Sequence, residues 1–191
     1  MFLQALEAKG IYISKEDIKT VSERTRIVSI EKGTIFMKQG VPVKRLYFLI
    51  SGTARLYVNH GTHETTIDFI SWSEFVSTFV YVQNEVPSTV ALDALTEVSA
   101  LYWEKGDIVF LKKHTKVFND IENVMLDSLL QWNLRREIEF RNLSPEERYL
   151  KLYENQPKVV QQVPLKYIAS YLGIHQDSLS RIRKKIILKR A

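Results

Sequence analysis

No cysteine occurs in the 191 residues, which excludes disulfides, thiolate zinc sites, cysteine-ligated iron–sulfur clusters and a cysteine nucleophile. The longest apolar run is the five residues Leu46 to Ile50, too short for a membrane-spanning helix. Met1 is followed within a few residues by charge, so the basic flank and apolar core of a signal peptide are missing. The expectation is a cytoplasmic chain with no membrane partner. No low-complexity stretch interrupts it. Hydrophobic residues make up 45% and charged residues 26%, the balance of a folded protein with one large or two small domains.

Positive charge is distributed unevenly. Of the 27 Lys+Arg and 22 Asp+Glu, residues 1–143 hold 17 and 18, net −1, and residues 144–191 hold 10 and 4, net +6. Six of the last eleven residues are basic (Arg181, Arg183, Lys184, Lys185, Lys189, Arg190) and none is acidic. That suits a polyanionic partner, although a solvated basic tail would read the same way from charge alone.

The hydrophobic period divides the chain. Residues 2–24 read as short helices, with a cap at Ser14 and its partner Asp17. From Thr25 the period becomes two, and short β-rich runs are punctuated by Gly33, Gly40, Gly52 and Gly61. Further strands are expected at about 64–70, 88–93 and 97–103, roughly eight in all, as in an antiparallel sandwich or small jelly roll. After Gly106 the pattern turns helical and stays so from about Thr115 to Arg141. Phe118, Ile121, Met125, Leu129 and Trp132 form one stripe, widened by Val124, Leu126, Leu130 and Leu134. A helix of that length outruns a small sandwich, so the stripe is expected to pack against a second subunit. Ser144-Pro145-Glu146-Glu147 is a capping box with proline at the first helical position and marks a boundary. Residues 159–163 are expected to be extended. The division is therefore a β-roll sensor at 1–113, a dimerisation helix at 114–143 and a C-terminal domain at 144–191, an α+β chain.

Between Leu165 and Ile182 the apolar residues fall where two helices crossed at a tight turn need them. Ile168, Leu172, Leu179 and Ile182 form a shared core, Ala169 is small at the crossing, and Gly173 supplies a positive φ. This is a helix-turn-helix pattern. The second helix offers Gln176, Asp177, Ser180, Arg181 and Lys184 on an open face. In a major groove Arg can bridge guanine, Gln adenine, and Asp can accept from cytosine. Arg183, Lys185, Lys189 and Arg190 suit phosphate contacts, and Lys166 with Tyr167 could meet the backbone.

The order of parts resembles the catabolite activator protein/FNR (CRP/FNR) family of bacterial transcription regulators over nearly the whole chain. The most specific stretches are Tyr47-Phe-Leu-Ile-Ser-Gly52-Thr-Ala-Arg-Leu-Tyr57 and Ile168 to Lys184. The resemblance implies a cyclic-nucleotide-binding-type roll and a homodimer on a two-fold operator in double-stranded DNA. Base contacts would fall at Gln176, Asp177 and Arg181. RNA polymerase is an implied partner and a small molecule in the roll an implied effector. Candidate ligand residues are then Glu74, Phe75, Ser88 and Thr89, with no resident cofactor. Three departures stand out. Cyclic-nucleotide binders carry Arg-Ser where this chain has Pro87-Ser88, and a buried phosphate without its charge partner is costly, which argues against cyclic AMP. Arg45 or Arg55 would restore the balance if either faced inward. Only residues 186–191 follow the basic stretch, too few for a two-stranded wing, and His175 sits where Ser or Thr caps better.

Two other classes compete with this reading. A cupin-type metal enzyme would need His60, His63, Glu64 or His114 to converge, but His60 and His63 straddle a turn, so no catalytic residue and no metal site are expected. A ligand- or protein-binding roll without DNA binding is opposed by the basic helix-turn-helix segment.

Overall fold

The computed structural model describes the backbone of residues 2–71, 73–76 and 79–190, and the side chains of all of these except 79, 80 and 187–190. Two helices, α1 (Phe2–Ala8) and α2 (Lys15–Arg24), come first. The Ser14 hydroxyl accepts the Asp17 N–H at 3.0 Å and caps α2, as its short polar side chain three residues ahead dictates. Eight strands follow among the described residues: β1 (Arg26–Ile30), β2 (Ile35–Met37), β3 (Arg45–Ser51), β4 (Ala54–Asn59), β5 (Glu64–Ile70), β6 (Glu74–Phe75), β7 (Ala91–Ala94) and β8 (Val98–Glu104). They pair antiparallel in two four-stranded sheets, β1-β8-β3-β6 and β2-β7-β4-β5, the jelly roll that alternation and glycine spacing lead one to expect. Gly52 shows why glycine is needed at one of its turns. It has φ +90, and a Cβ there would lie 2.3 Å from the Glu97 carbonyl oxygen.

Leu46, Phe48, Leu92, Trp103 and Leu111 are among the fully buried side chains of the roll. Phe2 of α1 closes one end by edge contacts with Phe48 at 5.1 Å and with Phe75 at 6.1 Å. The Trp103 indole N–H is satisfied by the Thr25 hydroxyl at 3.0 Å, as a buried indole requires. A short helix, α3 (Phe79–Asn84), interrupts the strands, and α4 (Lys105–His114) leads to the 26-residue α5 (Val117–Asn142).

The stripe on α5 divides in a way its sequence does not reveal. Phe118 and Ile121 are buried in the chain's own core, and Met125 packs against it. Leu129 and Trp132 are half-buried and line a cleft against the roll. The side exposed to solvent carries Leu126, Leu130, Leu134 and Ile138, at 43, 61, 56 and 58% exposure. Phe118 and Ile121 are therefore unavailable to a second subunit, and the row one residue on presents the free apolar face.

Beyond α5 lie α6 (Pro145–Asn155), α7 (Pro157–Gln162), α8 (Leu165–Leu172) and α9 (Gln176–Arg190). The capping box forms as written: the Glu147 N–H donates to the Ser144 hydroxyl at 3.3 Å, and Glu147 accepts the Ser144 N–H at 2.7 Å. The segment expected to be extended at 159–163 is instead largely α7. Pro157 opens its first turn, and Val159, Val160 and Val163 share one buried face at helical spacing. Burial overrides the β preference of valine there.

Candidate nucleic-acid interface and ligand cleft

Gly173 terminates α8 with φ +68, its N–H bonded to the carbonyls of Ala169 and Ser170, and Ile174 N–H returns to Ala169 at 3.0 Å. This left-handed cap turns the chain into α9 within three residues. Ile168, Ala169, Leu172 and Leu179 are buried between the two helices, with Ile182 partly buried beside them. The outer face of α9 carries Gln176, Asp177, Ser180, Arg181 and Lys184, all exposed. Positions 177, 180, 181 and 184 fall on one helical face. Ser180 also donates to the Gln176 carbonyl at 3.1 Å.

Two of the sequence candidates face elsewhere. Arg183 is partly buried with its charge near Tyr149 of α6, and Lys185 pairs with Glu146 at 2.5 Å, so both face α6. Lys166 is exposed on α8, its ammonium 4.7 Å from the Tyr167 ring. The side chains of Lys189 and Arg190 lie outside the described residues.

The four ligand candidates are not brought together. Glu74 and Phe75 line a cleft of about 530 Å³ between β5, β6, α5, α6 and α8, which includes neither Ser88 nor Thr89. Ser88 is buried and spends its hydroxyl within its own turn, donating to the Val90 carbonyl at 2.7 Å and accepting the Val90 N–H at 3.1 Å. Thr89 shares a 2.7 Å hydrogen bond with the Tyr81 hydroxyl. Neither Arg45 nor Arg55 lines the cleft. Arg45 reaches Glu104 at 3.3 Å. Arg55, only 2% exposed, makes a two-pronged bond to Asp93 at 3.0 and 2.7 Å and a third to Glu64 at 2.9 Å. Its guanidinium lies between the rings of Tyr57 and Tyr167, at 4.0 and 3.8 Å. His60 and His63 stack at 4.8 Å on an exposed hairpin, and no metal-binding cluster occurs among the described residues.

Several groups in the cleft carry shifted acidity. Burial pushes the Asp68 carboxyl up to about 7, against the pull of the Phe69 N–H and of Arg136. Glu74 is still reached by water but surrounded by protein, which raises it too. Tyr171 is raised to about 12, chiefly by burial and then by Asp68. Arg148 is lowered, first by burial and then by the neighbouring Arg136 charge. Asp68, Arg136 and Arg148 carry no motif. The one readable signal is that Arg136 falls four residues after Trp132 and four before Phe140, on one face of α5.

The comparisons agree with this architecture. Residues 27–114 match the cyclic nucleotide-binding domain family. FixK2 from Bradyrhizobium japonicum is similar with a TM-score of 0.75 at 12% identity, over 86% of this chain and 85% of that one. CLP of Xanthomonas campestris, a c-di-GMP responsive global regulator, gives 0.70 at 18% identity, over 92% and 93%. The catabolite activator protein of Thermus thermophilus gives 0.55 at 19%, over 93% and 85%. No curated protein matches the sequence. Residues 27–114 thus carry a cyclic nucleotide-binding domain, and the fold of the chain is similar to that of a catabolite activator protein and of a regulator described as of the CRP/FNR family.

Proposed function

We propose that the protein is a cytoplasmic, sequence-specific DNA-binding transcription regulator acting as a homodimer, and not an enzyme. The observation that carries this reading is the exposed face of α9. Asp177, Ser180, Arg181 and Lys184 stand together on a helix held rigidly by the Gly173 turn and buried Leu179. In this reading α8 and α9 are the helix-turn-helix of a DNA-binding domain at 144–191, and α9 enters the major groove. Arg181 reads guanine, Gln176 and Asp177 read neighbouring bases, and Lys184 with Lys166 holds phosphates. Arg183 and Lys185, both facing α6, position the helix.

The dimer seam forms along Leu126, Leu130, Leu134 and Ile138, whose spacing of four gives a continuous apolar row between two copies of the 114–143 helix. A second copy places a second α9 for a two-fold operator, and RNA polymerase is the further protein partner. The roll at 1–113 keeps its form with a degenerate nucleotide cassette: Pro87 offers no cation and Ser88 no free hydroxyl hydrogen. Cyclic AMP is therefore not its effector.

Fluorescence anisotropy on a selected operator tests the base-reading role. Arg181→Ala is expected to lose about 1 to 3 kcal/mol and relax discrimination at one base pair per half-site. Lys184→Ala weakens all duplexes alike and flattens the salt dependence. Equal loss on operator and random DNA for Arg181→Ala removes it from the base-reading set.

A further inference from the structure

Arg55 and Tyr57 project from one side of β4, while Leu56, between them in sequence, packs against the roll core on the other, as strand alternation requires. Each of the three Arg55 nitrogens has an acceptor within the roll: Asp93 takes Nε and Nη2 at 3.0 and 2.7 Å, and Glu64 takes Nη1 at 2.9 Å. The rings over the guanidinium come from different parts of the chain, Tyr57 from β4 at 4.0 Å and Tyr167 from α8 at 3.8 Å. An arginine on the outside of a sheet is ordinarily hydrated, yet Arg55 is buried, because α8 closes over it. A desolvated guanidinium draws an aromatic face more strongly than an exposed one. Glu64, which holds Arg55 through its carboxylate, also accepts the Ser170 hydroxyl at its carbonyl, and Ser170 accepts the Thr66 N–H. β5 is an edge strand of its sheet, and α8 lies where a further strand would otherwise pair.

We propose that Arg55 is a positioning residue for DNA reading: through the Tyr167 ring it fixes α8 against the roll and so sets where α9 presents its base-contacting face. This role rests on the DNA-binding reading of α9. The helix α8 is eight residues long. Tyr167, Ser170 and Tyr171 meet the roll, and Ile168, Ala169 and Leu172 lie in the core shared with α9, so holding one side of so short a helix holds the other. The contact leaves the reading face open, since Asp177, Ser180, Arg181 and Lys184 stay exposed. It therefore orients α9 without covering it. The Lys166 ammonium lies 4.7 Å from the same Tyr167 ring, so the stack that places α8 also places this lysine for its phosphate.

Tyr167→Ala and Tyr167→Phe test the role on the full chain. Phe keeps the ring over Arg55 and loses only the hydroxyl that a direct phosphate contact would need, and neither variant removes a member of the Arg55–Asp93–Glu64 cluster. Two quantities are measured at fixed ionic strength: exchange of the Thr66 amide without DNA, and the ratio of affinity for a selected operator to affinity for random duplex. For Tyr167→Ala the Thr66 amide is expected to exchange about tenfold faster and the ratio to fall about tenfold. Random-duplex affinity stays, because the basic residues of α9 remain. Tyr167→Phe is expected to match the wild type in both. If Tyr167→Ala does not fold, Tyr167→Leu, which fills the space without an aromatic face, takes its place. Unchanged Thr66 exchange, an undiminished ratio, or a Phe variant as defective as Ala would overturn the proposal. A wild type with no operator preference would sink the DNA-binding reading and this role with it, whereas unchanged Thr66 exchange beside a wild type that does prefer its operator sinks this role alone.

Discussion

The Ser170 hydroxyl on α8 accepts the backbone N–H of Thr66 on β5 at 2.9 Å and donates to the Glu64 carbonyl at 3.3 Å. One hydroxyl thus uses both its capacities to fasten the α8–α9 pair to the roll. Tyr167, over Arg55, and Tyr171, 5.3 Å from Phe69, lie on the same face of α8. Residues 168, 169 and 172 face the other way, into the core shared with α9. One helix therefore binds the roll on one side and packs against α9 on the other.

Ser170→Ala leaves the Thr66 N–H without its acceptor, a loss of about 1 to 3 kcal/mol if water cannot enter. Amide hydrogen exchange is expected to quicken at Thr66 while exchange in β3 and β8 stays slow. Unchanged exchange at Thr66 would show that the hydroxyl does not hold the contact.

Two charge substitutions on α5 separate folding from assembly. Leu130→Glu, on the exposed row, is expected to give a folded monomer by sedimentation, because two unpaired carboxylates would meet in the seam. Met125→Glu, facing the chain's own core, is expected to lower the melting temperature instead. A dimeric Leu130→Glu would place the seam elsewhere.

Acidity at Asp68 gives stability a pH dependence of definite sign. Its folded pKa, about 7, lies above the unfolded carboxyl value of about 3.9. Between these values the native state binds more protons, so Asp68 makes stability fall as pH rises from about 4 to 7 and level off above. Glu74, also raised, acts in the same direction, so the variant isolates the Asp68 share. Denaturant melts across this range should show a shallower decline for Asp68→Asn than for the wild type. An unaltered slope would contradict the burial of that carboxyl.

Much of this architecture is legible locally. Ser14 with Asp17, Ser144 with Glu147, and Gly173 after Leu172 fix helix ends through contacts within a few residues, and the glycine-punctuated alternation marks the roll. What was not legible depends on distant partners. Val159 and Val160 suit a strand by preference and become helical because a buried surface meets them. On α5 both faces are apolar, so only packing against the roll decides that Met125 turns in and Leu130 out. Arg148 acts on a carbonyl 24 residues away and Ser170 on an N–H 104 residues away, and no local pattern announces either. The ligand quartet failed for a related reason: Ser88 matches the expected residue type, but its hydroxyl is consumed by Val90.

Selection of the wild-type protein against a pool of random duplexes tests the central claim most directly. The account expects enrichment of one motif made of two inverted half-sites about one helical turn apart, lost with Leu130→Glu and degraded at one position per half-site with Arg181→Ala. Recovery of no motif, or of binding that depends on charge alone and is equal on all sequences, would contradict it.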